Sequence, residues 1–225
     1  MPSVREFYEV NRGGGLFSEA VSQRLGAVTA YAASRLGLRP TTLTLANLAI
    51  GLTVSTLVVA FSASCPLWMR LLALVGWQVA YVLDCSDGQL ARVTGQRSAA
   101  GARIDILCDV ASQIALVTAI SAVAFSRSDA PVWLLTAFAG TWMVNLVTSV
   151  LQSGPNADSM VPSRSLPVRV IKLVRDPGAV FLLAGLVLAI EPDWAVWFAL
   201  AFAIVNGGFL LASIAFTARK AYQPS

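Results

Sequence analysis

Six apolar runs, near Leu43–Phe61, Leu67–Leu83, Ile104–Phe125, Val132–Leu151, Ala179–Ile190 and Trp194–Phe216, set the terms on which this chain can fold. A helix crossing a bilayer needs about 20 apolar residues, and it must satisfy its own backbone hydrogen bonds where water is absent. Most of the runs reach or approach that length. Only 12% of the residues are charged, half the roughly 25% usual in a soluble domain. The chain is therefore expected to be all-α, a polytopic membrane protein of six transmembrane helices over residues 41–225. The fifth run is the short one, at 12 residues, and its length fits either a re-entrant segment or a span lengthened from upstream. Asp176 followed by Pro177 reads instead as an N-cap and first helical position, which would restart the helix there.

Charge fixes the orientation. Of 16 Lys and Arg, 14 fall in the N-terminal segment, the second and fourth loops and the C-terminus, leaving Arg70 and Arg127 on the other side. By the positive-inside rule both termini are expected to be cytoplasmic, in the cell membrane. Trp68, Trp133 and Trp194 then form a belt at the outer interface. Basic residues so distributed point to membrane topology, and nothing in the sequence points to nucleic acid. Residues 1–40 carry five Arg and three Glu without an apolar core, so no signal peptide is expected. Within them Leu16, Ala20, Leu25 and Val28 recur at spacings of three to five residues, with Glu19, Ser22 and Arg24 largely elsewhere. That amphipathic pattern fits a helix in the headgroup plane and equally a helix packed on the cytoplasmic ends of the bundle.

Against this background the stretch "LDCSDGQLARVTGQRSAAGARIDILCDV" stands out, since Asp84, Asp87, Asp105 and Asp109 are four of only 12 acidic residues. Spacings of three and four put each pair on one helix face. The small, glycine-bearing segment between them allows a turn, so the two pairs should converge at the cytoplasmic end of a helix hairpin. Four carboxylates at membrane depth repel and are costly unless a cation holds them. The chain has no His, which removes the commonest transition-metal ligand. Oxygen ligands suit Mg²⁺ or Mn²⁺, and two ions about 4 Å apart are a recurring clamp for phosphoryl transfer. Cys65, Cys85 and Cys108 lack companions at zinc-site spacing and read as small packing residues.

The stretch resembles the CDP-alcohol phosphotransferase signature D-x-x-D-G-x-x-A-R-x8-G-x-x-x-D-x-x-x-D without departure, through Asp84, Asp87, Gly88, Ala91, Arg92, Gly101, Asp105 and Asp109. The resemblance implies transfer of a substituted phosphate from a CDP-alcohol, commonly CDP-diacylglycerol, to an acceptor alcohol, with release of CMP. It implies Asp84, Asp87 and Asp105 on a first metal ion and Asp84, Asp105 and Asp109 on a second, with Asp109 as general base. CDP contacts are implied for Gly88, Arg92 and Ser98, and for Thr41, Thr42, Leu43 and Thr44, which follow Pro40 in the manner of the family's P-x-x-x-T. Thr41 departs from the Asn often found there. Arg164, Arg169, Lys172 and Arg175 are candidates for the acceptor phosphate, or serve topology alone. The segment "VTSVLQSGPNADS" lacks the basic Y-x-x-A-R type element of members that make phosphatidylinositol phosphate or phosphatidylglycerophosphate. The resemblance also allows a homodimer through membrane helices.

Two alternatives stay open. The same fold accommodates a CDP-linked polar alcohol with a lipid acceptor. A cation transporter also places carboxylates in the membrane, but should spread polar residues towards the outer face; here the ionisable residues gather at one end.

Overall fold

The computed structural model describes residues 2–11, 15–151 and 176–221. Among them there is no strand. The helices are α1 (Val4–Glu9), α2 (Gln23–Arg35), α3 (Pro40–Ala60), α4 (Leu67–Val93), α5 (Ala99–Ser128), α6 (Val132–Leu151), α7 (Pro177–Ile190) and α8 (Ala195–Ala221). A π-helical turn, Ser18–Ser22, leads into α2, and a 3₁₀ turn, Pro192–Trp194, leads into α8.

Helices α3, α4, α5 and the stretch Pro192–Arg219 are long and apolar enough to cross a membrane. Helices α6 and α7 coincide with the fourth and fifth apolar runs. With 14 residues, α7 is about 21 Å long. Asp176 is its N-cap and Pro177 its first residue, as the sequence suggested, and the carboxylate accepts hydrogen bonds from the Gly178 and Ala179 N–H groups.

Helix α3 packs along both α4 and α5, α4 also carries α2 and α7, and α8 lies against α6 and α5. In lipid such contacts rest on close packing and interhelical hydrogen bonds rather than on a hydrophobic driving force. Both appear. A Cβ on Gly185 would come within 2.7 Å of the Leu74 Cα, so α7 approaches α4 as closely as a missing side chain permits. The Trp77 indole donates to Ser55 Oγ at 3.1 Å, and the Trp142 indole to Gln113 Oε1 at 2.9 Å. Trp142 also stacks on Phe202 of α8, with ring centroids 4.6 Å apart.

At the end opposite the aspartates, Arg127 pairs with Asp193 at 2.8 Å and tethers the loops there. Trp68, Trp133 and Trp194 are all exposed at that end. At the aspartate end a second, smaller core gathers Phe7, Ala27, Ala30, Ala33, Leu43 and Leu90. It fastens α1 and α2 to α4. The packed face of α2 is small or polar, comprising Gln23, Gly26, Ala27, Ala30 and Ala33. Gln23 accepts two hydrogen bonds from the Gln89 amide, at 2.7 Å through its side chain and 3.0 Å through its carbonyl. Leu16, Leu25 and Val28, over half exposed, form the outward face.

Candidate active site

The last turns of α4 carry Asp84 and Asp87, and the first turns of α5 carry Asp105 and Asp109. Between them the chain reverses in five residues. Thr94 ends α4, and Gly95 takes φ +70°, a left-handed conformation that glycine adopts without steric cost. Ser98 then opens α5 by accepting the Gly101 N–H at 2.9 Å. This short hairpin is why two carboxylate pairs, eighteen residues apart at their nearest members, come to lie side by side.

Asp84, Asp105 and Asp109 each direct one carboxylate oxygen into a group whose members all lie within 4.8 Å of one another. The Asp84 and Asp109 carboxyl groups touch. Asp87 stands beside this group. It is buried, and its Oδ2 accepts the Thr44 hydroxyl at 2.5 Å, the length of a charge-assisted bond. That bond ties the N-terminal end of α3 to α4 at the site. All four aspartates are thus at one end of the hairpin, three with carboxylate oxygens within 4.8 Å of one another and the fourth held by threonine.

The ion pairs Arg5–Glu9 and Arg127–Asp193 lie away from the aspartates. Asp105 Oδ1 is buried without a hydrogen-bond partner among the described residues. A stranded carboxylate oxygen in a group of like charges is costly, and a hard divalent cation is the partner its chemistry fits. Arg92 supplies positive charge nearby. Its guanidinium folds back over Gly88, where a Cβ would meet Nη1 at 2.9 Å, and its charge reaches Asp105.

The other residues expected from the sequence fall as follows. Thr41 is half-buried, Thr42 is exposed, and Thr44 and Leu43 are buried. The Leu43 side chain belongs to the smaller core, so any ligand contact there falls to its main chain. Ser98 is exposed, with its Oγ engaged as the α5 cap. Arg164, Arg169, Lys172 and Arg175 lie outside the described residues. Cys85 and Cys108, which flank the aspartates, are free, buried thiols, as is Cys65.

One group escaped the sequence reading beyond its capping role. Asp176 is buried and bonded to residues of the N-terminal segment 158 positions away. No local spacing could have announced that contact.

A family model for CDP-alcohol phosphatidyltransferase matches residues 38–218. The match begins just before α3 and takes in the whole aspartate hairpin. No curated protein matches the chain.

Proposed function

The chain belongs to the CDP-alcohol phosphatidyltransferase family, and from that premise we propose that it moves a substituted phosphate from a CDP-alcohol, most simply CDP-diacylglycerol, onto the hydroxyl of an acceptor alcohol and releases CMP. The acceptor oxygen attacks the phosphorus that carries the alcohol, the bond from that phosphorus to the oxygen of CMP breaks, and the acceptor proton passes to Asp109. The observation that carries this reading is the convergence of Asp84, Asp105 and Asp109. These are the same three residues that the motif assigns to a second metal ion.

Asp84, Asp87 and Asp105 would hold one Mg²⁺ or Mn²⁺ ion, and Asp84, Asp105 and Asp109 another. When bound, the ions neutralise charge gathering on the diphosphate and on the leaving oxygen. The protein's own contribution is placement. Thr44 fixes the Asp87 carboxylate, Gly88 leaves room for the Arg92 guanidinium over the nucleotide phosphates, and the first turn of α3 with Thr41, Thr42 and Leu43 faces the CDP moiety. Ser98 borders the same region. Arg92 suits this place because a planar guanidinium meets a phosphate with two parallel hydrogen bonds. Arg164, Arg169, Lys172 and Arg175 are assigned to the acceptor side.

The same reading places six helices across the cell membrane, with the aspartate end and both termini cytoplasmic. The helical segment from Leu16 through α2 then lies at the headgroup level, with Leu16, Leu25 and Val28 towards lipid and the small face of α2 on α4. The exposure of those three residues supports that placement.

Purified protein supplied with Mg²⁺ or Mn²⁺, CDP-diacylglycerol and a panel of acceptors (serine, glycerol 3-phosphate, inositol, inositol 1-phosphate) should release CMP with one of them. Asp109→Asn should abolish turnover and leave CDP-alcohol binding largely intact. Normal turnover in that variant would remove Asp109 from the role of base.

A further inference from the structure

The Asp176 carboxylate does more than cap α7. Its Oδ2 accepts the Phe17 and Ser18 N–H groups at 2.8 and 2.9 Å. Its Oδ1 accepts Gly178 N–H at 3.0 Å, Ala179 N–H at 3.4 Å and the Ser18 hydroxyl. One carboxylate therefore caps two helix starts, that of α7 and that of the segment leading into the π turn. Its acceptor capacity of about four lone-pair sites is filled, with the side chain 1% exposed. Ser18 Oγ also accepts Gly178 N–H at 3.2 Å and lies 2.8 Å from the Tyr81 hydroxyl. Tyr81 in turn rests on Phe181 of α7, with ring centroids 5.5 Å apart.

The sequence provides space for this junction on both sides. A Cβ on Gly15 would collide with the Asp176 carboxylate, and one on Gly178 would lie 2.7 Å from Ser18 Oγ and 2.8 Å from the Tyr81 ring. Neither position tolerates a side chain while the bonds persist. Capping α7 alone needs only the Gly178 and Ala179 contacts. The remaining bonds all run to the N-terminal segment and, through Ser18, to α4.

On α4, Tyr81 is three residues before Asp84 and therefore on the same helix face. Rotating α4 by 10° would carry a carboxylate at a radius of about 5.5 Å through about 1 Å. Metal–oxygen distances tolerate only about ±0.2 Å. A bond that holds Tyr81 therefore bears directly on where Asp84 points. We propose that the Asp176–Ser18–Tyr81 junction is a positioning device that sets the rotation of α4 and so aims Asp84 into the carboxylate group. This rests on the reading of that group as a metal site.

The test is Mn²⁺ binding to the purified full chain in lipid nanodiscs, read from the EPR signal of free Mn²⁺, with thermal unfolding as a control for folding. Tyr81→Phe removes only the hydroxyl and keeps the ring on Phe181; Ser18→Ala removes the next link. Each should weaken Mn²⁺ binding by about fivefold, below the roughly 10–100-fold cost of losing a direct outer-shell partner. The double variant should be no weaker than either single one, because both cut the same chain. The variants should still unfold cooperatively, with melting temperatures lowered only by the loss of the buried hydrogen bonds, and the KM for the CDP-alcohol at saturating metal should not move. Should Tyr81→Phe fail to fold, Ser18→Ala decides alone. Folded variants with the wild-type Mn²⁺ isotherm, or losses that add in the double variant, overturn the proposal while leaving the metal reading intact. Wild-type protein that binds no Mn²⁺ overturns both.

Discussion

Replacing Thr44 with valine should damage the site without damaging the bundle. Valine matches threonine in shape, so α3 keeps its packing, and only the hydroxyl is lost. That hydroxyl donates at 2.5 Å to Asp87 Oδ2, and the two side chains are 3% and 4% exposed, so water cannot replace it. A hydrogen bond to a charged group contributes about 1.5–3 kcal/mol. At about 1.4 kcal/mol per factor of ten, its loss corresponds to about 10- to 100-fold in the affinity or reactivity that depends on Asp87 placement. The assay is CMP release across a Mg²⁺ titration. The Thr44→Val curve should shift to higher metal with reduced kcat/KM, and Thr44→Ser, which restores the hydroxyl, should recover most of the loss. A Thr44→Val protein with the wild-type metal curve and wild-type kcat/KM would mean that the bond holds a carboxylate the reaction does not use.

Two glycines give contrasting expectations. Gly88→Ala places a methyl 2.9 Å from Arg92 Nη1; since that is the far end of a flexible chain, the protein should fold, but the KM for the CDP-alcohol should rise about tenfold as one charged contact is lost. Gly185→Ala places its methyl 2.7 Å from the Leu74 Cα. Backbone must move there, so thermal unfolding should show a loss of about 1–3 kcal/mol.

The helices were legible because their signals are local. Apolar runs, the Asp176–Pro177 start of α7 and the three- and four-residue aspartate spacings each act within a turn or two of helix. The hairpin followed for the same reason, with Gly95 and Ser98 supplying its turn and cap within the small polar segment. What the sequence left open was whether the N-terminal segment lies in the headgroup plane or packs on the ends of the bundle, and so which of its sides meets other helices. The apolar periodicity of Leu16, Leu25 and Val28 marks a face that wants an apolar environment, but in a membrane protein that environment can be lipid. The packed side is instead the small and polar one, Ser18, Ser22, Gln23, Gly26 and Ala27. Close approach and hydrogen bonds, not apolar area, hold helices together in this setting. The links from Ser18 to Asp176 and from Gln23 to Gln89 join residues far apart in sequence. They depend on the assembled bundle, so no window of the sequence contains them.

Everything proposed for the reaction depends on the aspartate hairpin holding divalent cations. The most direct measurement is Mn²⁺ bound per chain, paired with CMP release before and after chelation, in wild-type protein and Asp105→Asn. The wild type should bind metal and show chelator-sensitive turnover that added Mg²⁺ or Mn²⁺ restores, and the variant should lose both. Undiminished CMP release after exhaustive chelation, or equal Mn²⁺ binding by Asp105→Asn, would contradict it.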